Sequence, residues 1–115
     1  MSLYVLEGLR PWVIQRVSAV YMLLFSLYVA WCLLGADTTV SYASWKGWLF
    51  APFNTTAVGL FVIAVLFHAW IGIRDVVLDY VHNIMLRIFI LGMLIGILLG
   101  SGLWVFRLLL LSVVA

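Results

Sequence analysis

Among the titratable side chains, His68 stands in the most demanding place. It lies in a charge-free run from Gly47 to Ile73, six residues before Arg74, or about 9 Å along a helix at 1.5 Å per residue. An ionisable group at that depth in an apolar helix marks a functional site by default. A neutral imidazole there can bind a metal or haem iron, pass protons, or hydrogen-bond to a neighbouring helix. With about 100° of turn per residue, Phe61, Ala64, Val65, Gly72, Asp75 and Asp79 share its direction within about 60°. Gly72, one turn away, leaves room on that face for a planar macrocycle between apolar walls.

The same face leads outward to Asp75 and Asp79, followed at once by Tyr80 and His82. Such a cluster suits a proton-handling rim; equally, the two carboxylates can solvate a helix end and pair with Arg74 or Arg87, and Tyr80 can be an interfacial belt residue. Arg16, beside Ser18, is either a positive anchor at the membrane edge or a clamp for a carboxylate or phosphate. Arg10 has the same two readings. No glycine-rich phosphate loop, cysteine pair or Ser/His/Asp set is present, so this chain is not expected to be catalytic alone. Bis-imidazole haem ligation needs a second histidine at membrane depth, and His82 is too near the edge, so if haem is bound a partner subunit is expected to supply the other ligand.

The elements that hold these residues follow from composition. The 115 residues are 68% hydrophobic and only 9% charged, against roughly 25% charged in soluble domains. A soluble monomer is excluded, because there is too little polar surface to cover one. A net charge of +2 from six basic and four acidic side chains is too sparse for nucleic acid. Cys32 is the only cysteine and is read as apolar filler. Three charge-free stretches fit three spanning helices at approximately 17–36, 56–80 and 88–107, within one membrane-anchor domain over 1–115. The first is too long for a signal-peptide core and is expected to be retained. Pro52 and the Asn54-Thr55-Thr56 cluster predict a stop and an N-cap before the second span, and the segment Asp37 to Lys46 is expected to be an exposed loop.

Gly92, Gly96 and Gly100 form a small-residue stripe on the third span, which permits close helix approach. Packing within the chain or a seam with a partner subunit both use such a stripe. Arg10, Arg16, Arg74 and Arg87 flank one side of the three spans, and Lys46 and Arg107 the other, so the amino terminus is expected to be cytoplasmic. The fold class is therefore an all-α integral membrane protein.

Three segments carry a family likeness: Gln15-Arg16-Val17-Ser18-Ala19-Val20, His68-Ala69-Trp70-Ile71-Gly72, and Asp79-Tyr80-Val81-His82, on three charge-free spans. In them the chain resembles the hydrophobic membrane anchor subunits of succinate dehydrogenases. The resemblance implies a multi-pass protein of the bacterial inner membrane. Its complex would have a flavoprotein and an iron–sulfur subunit that oxidise succinate, and two membrane subunits that bind haem b and ubiquinone. By the motif, His68 matches the axial ligand of the haem b iron, with the opposite ligand from the cytochrome b556 anchor subunit packed beside it. Tyr80 matches the tyrosine that hydrogen-bonds a quinone carbonyl, Asp79 the neighbouring acid, and Arg16 an arginine near the haem propionates. One departure is that Arg10-Pro11-Trp12 stands where some family members have a histidine. Two alternatives remain: the anchor of a quinol:fumarate reductase, and, from another class, a small proton channel or transporter protomer.

Overall fold

Three helices are long and apolar enough to cross a bilayer, as expected from the charge-free stretches. The computed structural model describes residues 3–35 and 40–114, with side chains over 7–35 and 40–111. Within them lie α1 (Leu3–Leu34), α2 (Tyr42–Phe50), α3 (Pro52–Tyr80) and α4 (Ile84–Val114), and no strand. The apolar parts of the long helices run Glu7–Leu34, Pro52–Tyr80 and Ile84–Leu111, or roughly 42 Å each against a hydrocarbon core of about 30 Å. The helices therefore run past the charges at Arg16, Arg87 and Arg107 that bound the charge-free stretches. The helical backbone continues into the interfacial layer because it satisfies its own hydrogen bonds there as well. Helix α1 even passes through Pro11, whose missing N–H costs one ladder bond near the polar end. Ala36, placed at the end of the first span by the sequence, lies outside the described residues.

Two local expectations are corrected. The second span begins at Pro52, its first helical residue, and Asn54 is inside the helix instead of capping it. Its side chain is used for tertiary contact: Nδ2 donates to the Trp48 carbonyl at 2.8 Å, and Oδ1 accepts from the Tyr28 hydroxyl at 2.7 Å. Thr55 Oγ1 donates to the Leu49 carbonyl at 2.7 Å. The segment read as an exposed loop contributes a short helix, α2, whose start is a reciprocal cap. Ser41 Oγ accepts from the Ser44 N–H at 3.2 Å while the Ser41 N–H donates to Ser44 Oγ at 3.0 Å. A serine in place of the usual Glu or Gln at the third position hid this capping box from sequence.

Helix α3 is central and packs against both α1 and α4, while among the described residues α1 and α4 do not pack together. So open a layer has almost no interior: Ile71, Val77 and Leu109 are its buried apolar residues, and Ser18 and Asn54 its buried polar ones. In lipid this is tolerable, because apolar surface needs no shelter and helices associate through close packing and interhelical hydrogen bonds. The α3–α4 contact uses Gly59, where a β-carbon would meet Phe106 at 3.8 Å, and Gly102, where it would come within 2.7 Å of Leu66 Cδ1. Gly92, Gly96 and Gly100 take no part in it. No neighbouring side chain or helix among the described residues comes within 4 Å of their would-be β-carbons, so the stripe is not packed against any of the described residues. The register explains this, since two residues advance about 200° and set Gly102 nearly opposite Gly100.

Asn54 ties α1, the end of α2 and α3 together through one amide. Asn54→Leu is expected to lower the unfolding free energy by about 1–3 kcal/mol, because the Tyr28 hydroxyl and Trp48 carbonyl lose their partner. Thermal denaturation in detergent checks this, and an unchanged midpoint would show that the bonds carry no net stability.

Candidate functional site

The α1–α3 contact is an antiparallel ladder of polar and aromatic pairs. Near one end Tyr28 meets Asn54. Next along it, Phe25 and Phe61 pack with ring centroids 4.8 Å apart, and the Tyr21 hydroxyl donates to the Ala57 carbonyl at 2.7 Å. Farther on, His68 faces Ser18, and Gly72 faces Gln15. Phe61, His68 and Gly72 share a helix direction, which is why one side of α3 reaches α1 repeatedly.

Two segments 50 residues apart in sequence thus meet at His68. Its Nδ1 is 3.2 Å from Ser18 Oγ, and its Nε2 is 3.4 Å from Gln15 Nε2. The Ser18 hydroxyl in turn donates to the Gln15 carbonyl at 3.0 Å. His68 is half-buried and Ser18 is buried. Of the roles open to this imidazole, a hydrogen bond to a neighbouring helix is present. The space beside Gly72, expected to be free, is filled by Gln15, whose Nε2 would stand 3.5 Å from a β-carbon there. The sequence did not single out Gln15 or Ser18 as partners of His68; their only signal was membership of the Gln15–Val20 segment.

At the outer end of α3 the titratable residues separate. Asp75 forms an ion pair with Arg74 at 3.0 Å, the solvated-end role allowed for it. Arg87 pairs with neither carboxylate; it donates to the Val81 carbonyl at 2.8 Å and to that of Leu78 at 3.2 Å, satisfying carbonyls that a helix end leaves without partners. Asn83 caps α4 by accepting from the N–H groups of Met85 and Leu86 at 3.0 and 3.2 Å. Asp79 and His82 are exposed, and Tyr80 is 78% exposed. The turn leaves all three at the surface. Arg16, at the same end of the molecule, is exposed with its guanidinium 5.4 Å from the Trp12 ring centroid, a cation–π contact that leaves N–H donors for an acidic group.

Residues 7–101 match the family described as succinate dehydrogenase/fumarate reductase transmembrane subunit. The chain belongs to this family. Its relatives include the succinate dehydrogenase hydrophobic membrane anchor subunit of Coxiella burnetii, 31% identical over 99 residues that cover 85% of this chain and 84% of that protein. The protein of the same name from Rickettsia felis is 32% identical over 82 residues, covering 70% and 67%. The chain is therefore a multi-pass anchor subunit, one part of an oxidoreductase complex.

The family implies haem, and the residues around His68 fit it. One ring nitrogen is held at hydrogen-bond distance by a buried hydroxyl, whereas the other has only the long contact from a flexible amide. Gln15 Oε1 is buried with no hydrogen-bond partner among the described residues, so the amide at this position is poorly satisfied there. Among the described residues no three of His, Cys, Asp or Glu cluster as a metal site.

Proposed function

We propose that this chain anchors the soluble flavoprotein and iron–sulfur subunits of succinate dehydrogenase to the bacterial inner membrane, with its amino terminus in the cytoplasm, and builds parts of a haem b site and a ubiquinone-reduction site. The observation that carries the reading is the meeting of His68 with the Gln15–Ser18 turn at membrane depth. Haem b supplies one-electron exchange when bound. His68 would hold the iron through one imidazole nitrogen, and a cytochrome b556 anchor subunit would supply the second ligand. The glycine face of α4 left open by this chain supports close approach of a helix from outside it. The single domain spans 1–115, and the four arginines at one end of the helix layer support the orientation.

Tyr80 and Asp79 serve the quinone. The Tyr80 hydroxyl, exposed and without a hydrogen-bond partner among the described residues, donates to a quinone carbonyl and favours the negative charge that grows there on reduction. Asp79, the neighbouring acid, helps relay the two protons that reduction needs. Arg16 neutralises haem propionates with charge-assisted bonds. Succinate oxidation is favoured over quinol-driven fumarate reduction because the curated relatives are named for the former.

The test is a reduced-minus-oxidised spectrum of the complex purified through this chain. A b-type signal is expected; its absence would leave the channel-like reading. Arg16→Leu is expected to shift the haem midpoint or lower haem retention by about tenfold, the scale of outer-shell substitutions. A full complement of haem at an unaltered potential would leave Arg16 a membrane anchor only.

A further inference from the structure

A hydroxyl carries one proton, and at Ser18 the shorter of its two contacts is to a carbonyl, which can only accept. Ser18 Oγ donates to the carbonyl of Gln15, one turn back in α1, at 3.0 Å. The contact of 3.2 Å between Ser18 Oγ and His68 Nδ1 can then be a hydrogen bond only if the imidazole is the donor. Nδ1 accordingly carries the ring proton, and in a neutral imidazole the lone pair is left on Nε2. On the other side the Gln15 amide Nε2 lies 3.4 Å from the imidazole Nε2, a contact compatible with a lone pair on that ring nitrogen.

We infer that Ser18 is a positioning residue for His68: by accepting from Nδ1–H while donating to the Gln15 carbonyl, it fixes the tautomer and ring orientation that turn Nε2 toward iron. The inference rests on the proposed ligation of haem by His68. Its physical content is that of an outer-shell partner, which holds a ligating histidine in one tautomer and raises its basicity. Ser18 is suited to this because it is 6% exposed, so water does not compete for the ring proton. The carbonyl behind it polarises the hydroxyl and makes its oxygen a better acceptor. More electron density on the imidazole favours ferric over ferrous iron, so Ser18 holds the midpoint potential down.

The experiment uses the assembled complex carrying Ser18→Ala, Ser18→Thr or Ser18→Val, with haem quantified, its midpoint titrated, and its ferric signal recorded by electron paramagnetic resonance. Thr keeps the oxygen, and Val is its isostere without one. Ala and Val are expected to move the ferric-to-ferrous balance about tenfold toward ferrous, a rise of about 59 mV for a one-electron couple, with altered ferric g-values or about tenfold lower haem occupancy. Thr is expected to match the unaltered complex. Should Ala fail to assemble, the Thr and Val pair decides. Equal potentials and g-values across all three variants, or equal loss of assembly in all three, would overturn the inference and leave Ser18 a packing residue. His68→Ala separates the two levels: if it leaves the haem unchanged, ligation itself fails and Ser18 falls with it. If haem is lost there but is indifferent to Ser18, only the positioning role is wrong.

Discussion

Replacing His68 by alanine is expected to remove most of the b-type absorbance from the assembled complex while the subunit stays in the membrane. The loss exceeds the roughly 10- to 100-fold fall in affinity typical of outer-shell changes, because the iron loses a ligand and not a ligand's support. Folding is expected to survive, since the imidazole makes one ordinary hydrogen bond at 3.2 Å and one long contact at 3.4 Å to α1. The remaining α1–α3 ladder, from Tyr28 to Phe25, is untouched. Optical difference spectra with haem extraction measure the outcome. A variant that retains all its haem with an unshifted spectrum would reduce His68 to a tie between helices.

Tyr80→Phe is expected to lower quinone reductase activity about 10- to 100-fold, while succinate oxidation with an artificial soluble acceptor stays normal. The range corresponds to losing one hydrogen bond to a group that becomes charged, about 1.5–3 kcal/mol. Tyr80 is 78% exposed and its hydroxyl holds nothing in the fold, so the variant is expected to be as stable as the parent within about 0.5 kcal/mol. Parallel assays with the two acceptors decide it. Proportional loss of both activities would point to damaged assembly, and preservation of both would place quinone reduction elsewhere.

The three spans and their order were legible because a bilayer imposes a one-dimensional rule: each crossing needs about 20 apolar residues, and charges interrupt three such runs. His68 stood out for the same reason. Features that depend on two helices meeting were not legible. Asn54 reads as a cap by residue type, yet folds into α3 and bonds both Tyr28 and Trp48. Gly92, Gly96 and Gly100 read as a packing stripe, but the α3–α4 seam is set by Gly59 and Gly102. Helix α2 escaped notice because its cap is a pair of serines and its length is only nine residues, where apolar periodicity carries little signal.

By itself, then, the sequence determined the solvent this chain lives in, the number of crossings and the one imidazole placed deep among apolar residues. Tertiary structure alone decided which ring nitrogen of His68 is held and which is left with a lone pair. That choice depends on the angle at which α1 lies across α3 and on where the single proton of Ser18 points. Hydropathy acts along the chain and can be summed residue by residue, whereas hydrogen-bond direction is fixed only when two distant segments share the same space.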